Sequence, residues 1–355
     1  MILCWAIEFD NLGGEGILAR TYIKKLSKSV HEKIIVITPS KIFLVKESRI
    51  KSSIRKNRSH ASMQQSKNLF KQRFIYPLEG IFILFLNRGF KKKIYLNYLP
   101  LWQFPIFLMS KIFQFQLGPI VGGVFNKSRY KNLSSNFVRV YLMRFFYFLS
   151  VLIIKIFKIK VIAANSSIDQ YLKGFNIFPE VSSINLLPSK ENVLRGEVLK
   201  DIDIVLYFRN HDSKYPIETK KIAKYFSDIG YKVIIFGEKY ASGNIKHLGY
   251  IDKNSLIDLF SRSKIFINLA DNPENLTVFD AISQDCFVVN VVGMELKNEL
   301  IHTCKKFSDI KVLVGNLLRK KNPNYQNFSL SIQKKQKQVE LDLEDFFKEA
   351  YTSKN

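Results

Sequence analysis

The sequence predicts an α/β protein made of two domains in tandem, each built on a parallel sheet. Three observations carry this. The chain has 355 residues, enough for two domains at roughly 150 residues apiece. At 47% hydrophobic and 14% aromatic residues, it holds ample core material, unlike a disordered chain. Short apolar, β-branched runs alternate with segments of helical spacing near the N-terminus, and more regularly from residue 202 onward.

Taken in order, residues 2–9 (ILCWAIEF) are an apolar run, followed by a glycine-rich turn at Gly13, Gly14 and Gly16. Ile17, Leu18, Tyr22, Ile23 and Leu26 then keep helical spacing, and 33–38 (KIIVIT) read as a second strand. Strand, glycine turn, helix and strand open a βαβ unit. Residues 46–73, with nine basic residues, one acid and little apolar content, are expected to form a mobile surface loop. Residues 137–160 are helical and strongly apolar, and a strand at 160–164 precedes Asn165, Ser166 and Ser167, which suit a helix cap.

Residues 178–200, with Pro179, Pro188 and Gly196, read as a linker. Beyond it come strands at 203–208, 232–236, 245–250, 264–269 and 286–292, with helices at 216–229, 253–262 and about 275–284. Apolar runs of this kind imply a parallel sheet buried on both faces. Both halves are therefore Rossmann-like. The expected division is 1–185, 186–330, and a C-terminal helical segment over 331–355 that packs back on the first domain.

The formal net charge is +25. It is uneven: residues 1–190 hold 30 basic and 8 acidic residues, a surplus of +22, and the remainder carries only +3. The first half therefore calls for an anionic neighbour. No nucleic-acid recognition motif accompanies the charge, so nucleic acid is not the expected partner. Phe145–Ile154 is apolar for only ten residues, short of the ~20 that cross a bilayer. The uncharged stretch 94–110 is broken by Pro100 and Pro105. Around it, Phe85, Arg88, Phe90, Lys91, Lys92, Lys93, Tyr95, Tyr98, Trp102, Phe104 and Phe107 mix aromatic and basic side chains. That mixture suits the surface of an anionic membrane, with a buried core beneath a solvated loop as the alternative.

Three scattered cysteines, Cys4, Cys286 and Cys304, form no CxxC pair, and five histidines are scattered. Neither a disulfide framework nor a metal site is expected. Glu8 and Asp10 within the first ten residues argue against a signal peptide, so a cytoplasmic location is expected.

In open parallel sheets, ligands bind at the carboxyl ends of strands, so the loops there are candidates. Gly13 and Gly14 after the first strand would let backbone approach a ligand. Arg209 and Lys214, five positions apart in one loop, suit a diphosphate. In the run 271–280 (DNPENLTVFD), the amides of Asn275, Leu276 and Thr277 would lie at a helix N-terminus ready for phosphate, and Asp280 could accept from ribose hydroxyls. Asp271 or Asn272 is equally a helix cap. Gly118 and Gly122, in GPIVGG, flank a loop that passes close to a neighbour.

On these residues the second half resembles the donor domain of a GT-B glycosyltransferase and is most similar to glycosyltransferase family 4. The resemblance rests on Arg209-x4-Lys214, on Phe236-Gly237-Glu238, on His247-Leu248-Gly249-Tyr250, and on the acid-rich run ending at Asp280. It is joined by Gly13-Gly14 and 118–123 in the first half. The second acid is Asp280 where the family has Glu. Eight positions earlier stands Asn272, so either Asp271 or Glu274 takes the first acid's place.

The resemblance implies two Rossmann-like domains and retaining, metal-independent sugar transfer, with no cofactor, from a nucleotide-sugar to a lipid-linked glycan such as undecaprenyl-diphosphate-linked oligosaccharide. The setting would be bacterial surface polysaccharide synthesis (O-antigen, capsule or lipopolysaccharide), at the inner face of the plasma membrane. Arg209 and Lys214 would hold the diphosphate, Gly237 and Tyr250 would line the nucleotide side, Asp280 would bind the ribose, and Asp271 or Glu274 would hold the sugar. Two alternatives stay open: an inactive glycosyltransferase-like subunit, and an inverting enzyme using Glu8, Asp10 or Glu15 as base.

Overall fold

The computed structural model describes residues 1–10, 14–55, 74–96, 99–121, 141–182, 184, 199–210, 215–240, 245–269, 275–291, 301–304, 307–319 and 325–352. They fall into two compact units. The first holds the described residues up to 184 and the end of the last helix from 338. The second holds those from 199 to 337.

In the first unit, β1 (Ile2–Trp5) leads through α1 (Gly14–Val30) to β2 (Ile34–Ile37). β3 (Lys41–Lys46) and β4 (Arg49–Arg55) follow, then α2 (Tyr76–Leu86), β5 (Lys92–Tyr95), β6 (Leu99–Pro100), α3 (Phe104–Ile112), β7 (Gln116–Leu117) and β8 (Pro119–Val121). α4 (Met143–Ile156), β9 (Ile162–Ala163) and α5 (Ser166–Lys173) close the run. The main sheet has the order β4-β3-β2-β1-β5-β7. β1 pairs in parallel with β2 and β5, and β3 and β4 add an antiparallel hairpin at one edge. A small parallel sheet, β6-β8-β9, lies beside it in the same unit.

That hairpin corrects the expected loop over 46–73 for its first ten residues. Lys46 pairs with Arg49, so the turn is Glu47-Ser48. Both residues have positive φ, 50° and 64°, the backbone of a two-residue turn that usually carries Asn-Gly. Ser48 is held instead by its Oγ, which donates to the Lys24 carbonyl at 2.9 Å. Residues 56–73 lie outside the described residues.

Trp5 is fully buried, and a Cβ on Gly80 of α2 would come within 2.3 Å of its indole ring. A glycine at that position is what lets α2 lie flat on β1. Asn165 caps α5 by accepting from the Ile168 amide at 3.0 Å, as its position ahead of Ser166 predicts. GPIVGG is not a loop over its first residues: Pro119–Val121 is β8, and Gly118 donates to the Tyr95 carbonyl at 2.9 Å. Gly122 and Gly13 lie outside the described residues, and Gly14 is the first residue of α1.

In the second unit, β10 (Ile202–Phe208), α6 (Pro216–Asp228), β11 (Val233–Gly237), β12 (Lys246–His247), α7 (Lys253–Ser261), β13 (Ser263–Asn268), α8 (Leu276–Ser283), β14 (Phe287–Val291), β15 (Ile301–Cys304) and α9 (Phe307–Arg319) follow in order. All six strands are parallel, in the order β12-β11-β10-β13-β14-β15. The alternation of β10 explains why. Ile204, Leu206 and Phe208 pack with α6 and α9 on one face through Ile222, Phe226, Ile310 and Val314. Val205 packs on the other with Phe260 of α7 and Val278 and Ile282 of α8. A sheet covered on both faces needs the continuous apolar runs seen in the sequence.

The last helix, α10 (Tyr325–Thr352), starts six residues before its predicted beginning. Within the first unit its end packs on α1: Phe347 meets the Tyr22 ring edge-on at 5.1 Å, and Lys25 pairs with Glu340 at 3.0 Å. Among the described residues, no helix is long and apolar enough to cross a membrane.

Candidate active site

Four loops of the second unit leave the carboxyl ends of neighbouring parallel strands, β12, β11, β10 and β13, and these carry the candidate residues. The centre of the first group is Glu238, directly after β11. Its Oε2 accepts the Asn210 amide at 2.8 Å, and its Oε1 accepts the Tyr250 hydroxyl at 3.2 Å. Arg209 Nε stands 3.8 Å from the same Oε1. One carboxylate thus gathers the loops after β10, β11 and β12.

Gly237 makes this approach possible. Its φ is +110°, and a Cβ there would meet the Phe208 carbonyl oxygen at 2.2 Å. Its amide donates to the Gly249 carbonyl at 2.9 Å, and the next amide, Glu238, donates to Phe208 at 2.9 Å. Glycine is required for both the backbone angle and the close passage. Tyr250 is largely exposed, and loss of water around its hydroxyl, together with the charges of Tyr207 and Glu238, raises its pKa.

The Arg209 side chain is 52% exposed. A loose, solvated ion pair contributes little, ~1 kcal/mol or less. A guanidinium so placed has the planar fork that matches two oxygens of an anion.

The second group is the first two turns of α8. Asn275 caps the helix, accepting the Val278 amide at 3.1 Å, so the cap is Asn275 rather than Asp271 or Asn272. Leu276 and Thr277 are the first two helical residues, whose amides have no partner four residues back within the helix. Such a terminus favours phosphate oxygens. A chain of asparagines fixes it: Asn275 Nδ2 donates to Asn268 Oδ1 at 3.2 Å, and Asn268 Nδ2 donates to Asn290 Oδ1 at 2.6 Å. Asn268 and Asn290 sit near the ends of β13 and β14, both buried.

Asp280, one turn further, is buried and ion-paired with Nζ of Lys253, the first residue of α7. Burial raises the Asp280 pKa, and Lys253 opposes the rise. Lys253 lies three residues past Tyr250, so the segment 250–253 links the two groups.

The structure thus brings Arg209, Gly237 and Tyr250 into one cluster, and sets Asn275, Leu276, Thr277 and Asp280 on the adjoining helix. Lys214, Asp271 and Glu274 lie outside the described residues. Sequence reading assigned no role to Glu238, Lys253, Asn268 or Asn290. Lys253 carried a weak signal, a lysine opening the helix after Tyr250. The asparagines carried only their place near strand ends. In the first unit, Asp10, one of the early acids, accepts the Ser40 hydroxyl at 2.6 Å. Among the described residues, no three His, Cys, Asp or Glu side chains gather as a metal-ligand set.

No protein-family model matches the sequence, and no curated protein matches it. Solved structures do match. The chain is similar to WaaG, a glycosyltransferase involved in lipopolysaccharide biosynthesis, at TM-score 0.58 and 9% identity, covering 99% of this chain and 100% of that one. It is similar to Anabaena Alr3699/HepE, solved in complex with UDP-glucose, at TM-score 0.53 and 12% identity, covering 99% of both chains. It also resembles a chain of the GtfA/B complex at TM-score 0.50 and 12% identity, covering 88% of this chain but 65% of that one. At these identities the likeness is one of fold, and that fold is GT-B, the fold of this group of glycosyltransferases.

Proposed function

We propose that the protein transfers a sugar from a nucleotide-sugar to a lipid-linked glycan acceptor, with retention at the anomeric carbon and without a metal. The observation that carries this reading is the convergence, at the carboxyl ends of β10, β11 and β13, of Arg209, the Glu238–Tyr250 pair and the N-terminus of α8. These are the groups a sugar nucleotide requires. Arg209, with Lys214 from the same loop, neutralises the diphosphate as it departs, and the first amides of α8 take its remaining oxygens. Tyr250 borders the nucleotide. Asp280 accepts from the ribose, with Lys253 opposing the rise that burial causes in its pKa. Asp271 or Glu274 holds the sugar hydroxyls.

In the proposed step, the bond from the anomeric carbon to the diphosphate breaks, and the bond to the acceptor oxygen forms on the same face. The departing phosphate takes the acceptor proton, so no protein nucleophile is needed. The acceptor chemistry fits an undecaprenyl-diphosphate-linked oligosaccharide of a bacterial surface polysaccharide, presented at the inner face of the plasma membrane. The +22 surplus of the first 190 residues suits its diphosphate and the anionic lipid around it.

The test is a nucleotide-sugar panel with polyprenyl-diphosphate oligosaccharides as acceptors, read by nucleotide release and by the anomer of the product. One donor should be consumed, the linkage should retain the donor's configuration, and chelation of divalent cations should leave the rate unchanged. An inverted linkage would refute retention. Nucleotide binding without turnover on any donor would mark a non-catalytic subunit instead.

A further inference from the structure

We propose that His247 is a positioning residue for the nucleotide side of the site: its neutral imidazole holds the Gly249–Tyr250 turn, and a proton on the ring releases that turn and weakens nucleotide binding in acid. Its role rests on the donor-site reading above and adds a proton-linked latch to it.

His247 ends β12, and its Nδ1 accepts the Gly249 amide at 3.2 Å. The Gly249 carbonyl in turn accepts the Gly237 amide at 2.9 Å. Gly249 has a φ of +73°, a left-handed angle that turns the chain out of the strand. One residue on, the Tyr250 hydroxyl donates to Glu238 at 3.2 Å. The His247 side chain therefore fixes the backbone from which Tyr250 reaches Glu238.

Aromatic rings hold the imidazole in place. It meets the Tyr240 ring at 5.4 Å and 90°, and the Phe208 ring of β10 at 6.5 Å and 81°. Packing of this kind asks only for a ring; the nitrogen adds the hydrogen bond. Nε2 is buried and has no hydrogen-bond partner, so Nδ1 ties the ring to the backbone. A nitrogen that accepts carries no proton, so the neutral ring is the Nε2–H tautomer. A second proton must go to Nδ1, where it faces the Gly249 N–H, and the turn loses its acceptor.

The neighbours set where the ring titrates. Burial opposes the charged form, the Glu238 carbonyl favours it and the Lys239 ammonium opposes it, which leaves the pKa below the ordinary 6.5. Lys239 runs along the turn, within 3.0 Å of where a Gly249 Cβ would stand. Burial raises the pKa of the Tyr240 hydroxyl. Lys220 of α6 places its ammonium 4.7 Å from the centre of the Tyr240 ring and 5.3 Å from that of Phe208, and Lys246 precedes His247 on β12. The Glu238 carboxylate is turned to Asn210 and Tyr250. His247 is therefore neutral at neutral pH and gains its charge in acid.

The experiment titrates UDP and GDP calorimetrically into wild type, His247→Phe and His247→Asn from about pH 7.5 to about pH 5. His247→Phe keeps a ring and removes the acceptor; it should bind about fivefold more weakly at pH 7.5, the worth of one ordinary hydrogen bond. His247→Asn keeps an acceptor near the place of Nδ1 and does not titrate; it should recover most of that loss. Across the pH range wild type should lose about two- to fivefold more affinity than His247→Asn. Protonation of the nucleotide's own phosphate is common to all three proteins and cancels. On free wild type labelled with ¹⁵N-glycine, the Gly249 amide resonance should move as the imidazole titrates. Parallel pH profiles in wild type and His247→Asn, or a Gly249 amide that ignores pH, would overturn the latch while leaving the donor site standing. Absence of nucleotide binding at every pH, with the Gly249 amide still following the imidazole, would overturn the donor site and leave the proton-linked turn.

Discussion

α4 of the first unit and α6 of the second show what the same burial pattern does with two different outer faces. α6 buries Thr219, Ile222, Ala223 and Phe226, at much the same spacing as α4 buries Tyr147, Ser150, Val151 and Ile154. Outward, α6 presents Lys220, Lys221 and Lys224, whereas α4 presents Phe145, Phe148, Leu152 and Ile156. Packing against the rest of its unit demands only the inner face of each helix. The outer face is left free, and it carries lysines on α6 and large apolar side chains on α4. The charge follows the same division. The first 190 residues carry a surplus of +22, and the remainder only +3.

The largest expected effect separates chemistry from fold. Arg209→Ala should reduce sugar transfer by about 10²–10³, the usual loss when one donor to a developing charge is removed. The melting temperature should barely move, because the side chain is half in water; nucleotide release and calorimetry measure the two. Next comes the direct test of the helix comparison. Phe145→Ser with Phe148→Ser should cost about tenfold in vesicle partitioning. Lys220→Ser with Lys224→Ser on α6 should change it by less than about twofold. Equal losses from both pairs would erase the distinction.

Smaller effects fall on stability. Gly237→Ala should destabilise the chain by roughly 1–3 kcal/mol, because it strains a φ of +110° and drives a methyl into the Phe208 carbonyl. Asn290→Ala should cost about 1–3 kcal/mol by removing the oxygen that accepts from the buried Asn268 side-chain amide. Urea unfolding reads both.

The smallest effect is pH-dependent. Asp280 has a folded-state pKa above its ordinary 3.8, so the unfolded chain releases this proton first as pH rises. Stability is therefore lost as pH rises through the folded value. Asp280→Asn should melt at or above wild type near neutral pH, and the gap should close as pH falls to about 4. A variant clearly less stable at neutral pH would mean that the Lys253 pair outweighs burial.

The comparison also explains what could be read from the sequence. The second unit's strands β10, β11, β13 and β14 were legible because both faces are buried, leaving apolar runs between helices. β15 (IHTC) was missed because it is a short edge strand with two polar residues. β4 was missed for a similar reason: RIKSSIR at a sheet edge looks like a loop, and its turn, Glu47-Ser48, lacks the glycine or asparagine that signals a hairpin. In the site, Arg209, Gly237, Tyr250 and Asn275 were legible from their places after strands. Glu238's partners, the Lys253–Asp280 pair and the asparagine chain were not, because each joins residues that only the strand order makes neighbours.

The central claim is that a nucleoside diphosphate binds where Arg209, Glu238–Tyr250 and the α8 N-terminus converge. Calorimetric titration of UDP, GDP and their sugar conjugates into wild type and Arg209→Ala tests it most directly. At least one of these nucleotides should bind wild type and lose about tenfold or more in affinity with Arg209→Ala. Equal affinity in the two proteins, or binding of no member of the panel to a folded wild type, would contradict it.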